Sequence, residues 1–162
     1  MKIKHLYITL LAVLALGVNT SCEDRLNIEK HGSLGGPEEY YQTDDEALSA
    51  VASMYVTWRG MYFNWYFLKN SLSDDVWAGG GARGDNSEIE DLNEFTYDSS
   101  NGFIKSVYQS LYSLIYKANL IIENVTGTSD AMKRAVAEAK VVRAWAHMEL
   151  VSLWGTARVV DH

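Results

Sequence analysis

The sequence predicts an all-α protein: a tetratricopeptide-like scaffold of helical hairpins, incomplete as a solenoid, interrupted by one long glycine-rich loop. Three observations predict it. Apolar residues recur at spacings of three and four over three long segments. Each segment opens on a capping residue or follows a break. The second and third are separated by so few residues that they should pack as an αα-hairpin, the unit of tetratricopeptide-type solenoids. No 34-residue repeat is visible, so the pattern supports a hairpin without by itself defining a repeat array.

The first of these segments starts at Thr43-Asp44-Asp45-Glu46. Thr43 as N-cap and Glu46 three residues on make a capping box, with acids at the positive end of the helix dipole. Leu48, Val51, Ala52, Tyr55, Trp58 and Tyr62 then define the expected buried face of a helix ending near residues 70–74. Residues 78–86 follow, with glycine at 79, 80, 81 and 84, where helix formation would cost too much backbone entropy. Residues 88–97 read as a weak polar segment with a short possible strand at Phe95-Thr96-Tyr97. The second long helix, about 102–125, presents Phe103, Val107, Leu111, Leu114, Ile115, Ala118, Ile122 and Val125 on one face. Ser129 or Asp130 caps the third, which should bury Met132, Val136, Ala139, Ala146, Leu150 and Leu153 and stop at Gly155.

Ahead of the helices, residues 1–21 have the form of an export signal. Lys2 and Lys4 precede an uncharged, largely apolar run, and Asn19, Thr20 and Ser21 lead to Cys22, then Glu23 and Asp24. The apolar run is too short to span a bilayer comfortably, which takes about 20 residues. A cysteine at the cut makes Cys22 the candidate lipidation site, where two or more acyl chains would anchor the protein. Asn19 stands where a lipobox usually has leucine, and an ordinary secretory signal with an incidental cysteine is the alternative. Cys22 is the only cysteine, which excludes an intramolecular disulfide and a cysteine zinc cluster. Residues 22–42, with Gly32, Gly35, Gly36 and the only proline, Pro37, read as a tether and extended wrap.

The chain of 162 residues carries a formal net charge of −7, and cleavage after residue 21 makes it more acidic. It lacks the basic surface that nucleic-acid binding needs. No catalytic constellation stands out. The four histidines are scattered, His147 and Glu149 at i and i+2 point to different helix faces, and adjacent Asp74-Asp75 cannot flank one scissile bond as glycosidase acids do. No metal site or cofactor is expected, and the glycine-rich loop lacks the Gly-Lys-Ser/Thr ending of a phosphate loop.

Trp77 has two readings. It is a hydrophobic anchor that pins the loop, or a stacking platform for a sugar ring, whose C–H face packs on an aromatic surface. In the second reading Arg83, Asp85 and Asn86 supply hydrogen bonds to the sugar hydroxyls.

Four passages carry a family resemblance: Ser21-Cys22-Glu23-Asp24; residues 36–47 leading into the first helix; the tyrosine-rich 111–122 with its Ala118-Asn119; and residues 137–155, with Glu138-Ala139, Arg143-Ala144 and the aromatic-glycine pair Trp154-Gly155. Together they resemble the amino-terminal part of SusD/RagB-type nutrient-binding outer-membrane lipoproteins. Where that family usually continues with proline and a strand, this chain has Thr156-Ala157-Arg158-Val159-Val160. The resemblance implies that residues 43–162 are a partial helical domain of a longer, non-enzymatic protein. It also implies attachment to the outer membrane, facing outward, and capture of oligosaccharide or similar polymers for a SusC-like TonB-dependent transporter. A structural or adhesive lipoprotein without a ligand, or a non-functional fragment, is the alternative. Exposed tryptophan at the loop favours the binder, and burial of all five tryptophans favours the scaffold.

Overall fold

A computed structural model describes residue 36 and residues 39–161. The export signal, Cys22 and nearly all of the tether lie outside the described residues, and everything below concerns the compact unit Gly36–His162. Four helices follow in order: α1 (Asp44–Ser71), α2 (Ser87–Asn93), α3 (Gly102–Asn124) and α4 (Asp130–Trp154). There is no strand among the described residues, and none of their helices is long and apolar enough to cross a membrane.

The capping box forms as the sequence predicts. The Thr43 hydroxyl accepts from the Glu46 N–H at 3.3 Å, and the Glu46 carboxylate accepts from the N–H groups of Thr43 and Gln42, each at 2.9 Å. Hydrogen bonding to the carboxylate, from the Thr43 hydroxyl first and the Thr43 N–H next, holds the Glu46 carboxyl below its ordinary range.

The buried face of α1 differs from the expected one. Ala47, Met54, Met61 and Leu68, every seventh residue, form the seam with Ala50 and Val51. Of the expected set, Val51 is buried and Trp58 partly so, while Leu48, Ala52, Tyr55 and Tyr62 are exposed, Tyr62 to 60%. The reason lies in the composition of α1, which is apolar around much of its circumference. The side that packs is the one whose alanines and methionines let α3 and α4 approach. The tyrosines, each with a polar tip, remain outside.

α3 and α4 follow the predicted pattern closely. Phe103, Val107, Leu111, Leu114, Ile115 and Ala118 are buried on α3, as are Met132, Ala139, Ala146 and Leu150 on α4. Ile122, Val136 and Leu153 lie at the core's edge. A short link joins the two as an αα-hairpin, and α1 packs against both. The Ser129 hydroxyl caps α4 by accepting from the Met132 N–H at 3.1 Å. In the link, a Cβ on Gly127 would overlap the Met132 sulfur, so a larger residue there would require the Met132 side chain to move. Gly155 takes the positive φ of 77° expected of a helix stop.

Residues 156–161 run back across the hairpin, held by side chains from within the family-like passages. Asn119, almost fully buried, donates to the Val160 carbonyl at 3.3 Å. Its own carbonyl accepts from Arg143 at 2.9 Å, and Arg143 also donates to the Asp161 carbonyl at 3.2 Å. His147 Nε2 lies 3.3 Å from the Val160 carbonyl. Asn119 and Arg143 thus clamp the returning chain to the hairpin. Glu149, 4% exposed, ties α4 to α1: it accepts from the Trp65 indole at 2.8 Å and pairs with Lys69 at 3.0 Å.

The segment 88–97, which reads from sequence as weak and polar, begins with the short helix α2. Asn86 caps it by accepting from the Ile89 N–H at 3.2 Å, and Leu92 is fully buried. The strand at 95–97 is absent because Phe95 takes a φ of 57° and closes the helix. The Thr96 N–H reaches the Asp91 carbonyl at 2.9 Å and the Phe95 N–H reaches Leu92 at 3.3 Å. These are the paired bonds of a Schellman turn. The three residues Phe95-Thr96-Tyr97 give no local sign of a left-handed Phe.

Candidate functional site

The loop between α1 and α2 is organised by side chains bonding to backbone. Asn93 is its hub. The Asn93 amide donates to the carbonyls of Val76 at 2.7 Å and Ser71 at 3.3 Å, and its oxygen accepts from the Ala78 N–H at 3.2 Å. The Asp85 carboxylate folds back over the glycines, accepting from the N–H groups of Gly81 and Ala82. A Cβ on Gly80 would come within 2.6 Å of that carboxylate, which explains glycine at this position. Gly84, at φ 93°, donates to Glu90 at 2.7 Å. Arg83 lays one nitrogen against both oxygens of Glu94, at 2.7 and 2.8 Å.

The result is a cavity of about 240 Å³ walled by Trp77, residues 78–80, Ala82 and Arg83 on the loop side and Glu90, Asn93 and Glu94 on the α2 side. Trp77 stands at its edge, 81% exposed. Behind it a smaller cavity, about 110 Å³, is lined in part by Phe67, Ser71, Trp77 and Ile89. The Ser71 hydroxyl is buried with no hydrogen-bond partner among the described residues. A ligand hydroxyl reaching this inner cavity would find an unused donor and acceptor.

The structure brings Trp77 and Arg83 together on one cavity. Asp85 and Asn86 sit beside it with their side chains engaged in the loop and the α2 cap. Glu90, Asn93 and Glu94, which the sequence reasoning missed, complete the wall. Their signal was hidden because the polar segment 88–97 did not read as a helix. Of the five tryptophans, Trp77 is exposed, and Trp58, Trp65, Trp145 and Trp154 are partly buried against the core. Trp77 is therefore outside the helical core, with its ring open to solvent. Among the described residues no group of histidine, cysteine and acidic side chains is placed to hold a metal.

Three long helices that display a side-chain-bonded, tryptophan-edged polar loop define a helical protein with a polar surface cavity. The chain belongs to the SusD-like family: the profile described as "Starch-binding associating with outer membrane" matches residues 39–161. It is 28% identical over 156 residues to SusD-like protein P38 of Formosa agariphila, covering 95% of this chain and 30% of that protein. SusD-like protein P25 of the same organism is 27% identical over 158 residues, covering 85% of this chain and 28% of that protein. The chain thus spans less than a third of the length of these curated relatives. No solved structure matches significantly.

Proposed function

We propose that this chain is the amino-terminal helical part of a cell-surface lipoprotein that captures oligosaccharide or similar nutrient polymers and passes them to a SusC-like TonB-dependent transporter. It acts by binding, without catalysis. The observation that carries the reading is Trp77, exposed at the edge of a polar cavity in a loop that side-chain bonds hold in shape. A sugar ring stacks on the indole face, while carboxylates and amides of the wall meet its hydroxyls. Arg83, Asp85 and Asn86 serve the site chiefly by shaping it, since Glu94, the loop N–H groups and the α2 cap already occupy them. The family's description as starch-binding supports this ligand class.

The test is titration of the protein with malto-oligosaccharides and a panel of other neutral glycans, with Trp77→Ala in parallel. One aromatic contact is worth about 1 kcal/mol, so the variant should bind several-fold more weakly with its helices intact. Equal affinity in the two proteins would return Trp77 to an anchoring role.

Attachment is part of the same reading. In this reading Cys22 becomes the first residue of the mature protein and carries the lipid that anchors it to the membrane, and the family's description as associated with the outer membrane supports that address. Cys22→Ala should shift the protein from the membrane to the soluble fraction. Radiolabelled fatty acid still bound to the variant would refute lipidation at that residue.

A further inference from the structure

One side of α3, at the edge of the core, carries Tyr108, Tyr112 and Tyr116. At every fourth position they rise about 6 Å apart along one side of the helix. Tyr116 is 63% exposed and Tyr108 is also open, while Tyr112 is half-buried. The band is ordered by ring contacts: Tyr108 and Tyr112 lie 4.9 Å apart, and the Trp154 ring meets Tyr108 edge-on at 5.2 Å. Gln109 and Ser113 share this shallow, open groove, and Arg158 on the returning segment borders it. Arg158 is held there through its backbone, whose carbonyl accepts from the Tyr112 hydroxyl at 3.3 Å.

The charge of this groove is unlike that of its surroundings. The chain as a whole is at −7, and the loop cavity is walled by Glu90 and Glu94 with Arg83 already paired. No acidic side chain lines the tyrosine groove, and Arg158 makes no ion pair among the described residues. A ligand there meets the exposed rings of Tyr108 and Tyr116 beside the half-buried Tyr112, an amide, a hydroxyl and a guanidinium that makes no ion pair among the described residues. Tyrosine faces take the C–H side of sugar rings. The planar guanidinium takes a carboxylate through two parallel hydrogen bonds.

We propose that this groove is a second glycan-binding surface, selective for chains that carry carboxylate groups. The Arg158 guanidinium engages a uronate, and the exposed Tyr108 and Tyr116 contact sugar rings of the same chain. The spacing of the tyrosines along α3 is comparable with the length of one sugar unit in an extended chain, so a linear polymer aligns with the helix. The inference rests on the protein being a glycan binder, yet it uses no residue of the Trp77 cavity. The two surfaces divide the ligands by charge: neutral chains at the acidic loop cavity, acidic chains at the groove.

The experiment is calorimetric titration of the purified protein with oligogalacturonate and with a malto-oligosaccharide of equal length, for the wild type, Arg158→Gln, Tyr116→Ala and Trp77→Ala. Circular dichroism checks the helix content of each variant. Oligogalacturonate should bind the wild type and weaken with added salt. Its affinity should fall about tenfold in Arg158→Gln and several-fold in Tyr116→Ala, and be unchanged in Trp77→Ala. Absence of oligogalacturonate binding, or full affinity in Arg158→Gln, overturns the proposal. So does an equal loss of malto-oligosaccharide affinity in Arg158→Gln, because the groove would then read rings without reading charge. Loss of oligogalacturonate binding in Trp77→Ala would assign the acidic glycan to the loop. Failure of the loop reading shows separately, as malto-oligosaccharide binding indifferent to Trp77→Ala.

Discussion

The α3–α4 hairpin and the α1–α2 loop hold their shapes by different physics. The hairpin buries alternating turns of leucine, isoleucine, valine and alanine, and its stability scales with apolar area removed from water. The loop buries little. Its shape comes from a handful of directed bonds, with Asn93 joining three backbone groups and Asp85 gathering the glycine N–H groups. A core tolerates a shift of a side chain with a graded loss. A loop of this kind loses its form when one hub is removed, because several backbone groups lose their partners together. Within one small unit, rigid packing supplies the platform and a fragile bonded loop supplies the candidate site.

That contrast can be broken most forcefully from the hairpin side. Leu150 is fully buried on α4, so Leu150→Ala should destabilise the unit by about 2–5 kcal/mol. Denaturant unfolding followed by circular dichroism measures this. An unchanged midpoint would show that α4 packs through another face.

A smaller and more local effect is expected in the loop. Asn93→Ala strands the carbonyls of Ser71 and Val76 and the Ala78 N–H, a loss of about 1–3 kcal/mol. Hydrogen exchange should speed up at the Ala78 amide while the α3 and α4 amides keep their protection. If exchange rises equally throughout, loop and hairpin form one cooperative unit and the contrast fails.

The smallest effect concerns the start of α1. The Glu46 carboxyl titrates below its ordinary value of 4.5 in the folded protein. Its contribution to stability is therefore fully present above that pH and is lost as pH falls through the depressed folded value. Glu46→Gln should be less stable than the wild type near neutrality, and the gap should close in acid. A gap that stays constant from neutral to acid pH would mean that the carboxylate's charge contributes nothing to the cap.

The three long helices were legible because each carried redundant local signals: capping residues, a period near 3.6, and a glycine or polar break. Capping at Thr43 and Ser129, the stop at Gly155 and the buried sets of α3 and α4 all follow from residues within a few positions of one another. Trp77 and Arg83 were legible as site candidates because an aromatic beside a run of glycines is conspicuous in composition. Glu90, Asn93 and Glu94 were hidden, since their place on the cavity depends on α2 and on the left-handed Phe95 that ends it.

Local sequence thus determined where the long helices begin and end, because caps and periodicity act over a few residues. Tertiary structure alone decided which side of α1 faces inward. That helix is apolar around much of its circumference, and the fit of Ala47, Met54 and Met61 in the core breaks the tie. It also decided the pairing of Glu149 with Trp65 and Lys69 and the clamp of Asn119 and Arg143 on the returning chain. These partners lie far apart in sequence, and a buried polar group finds its hydrogen bond only once the whole hairpin has closed around it.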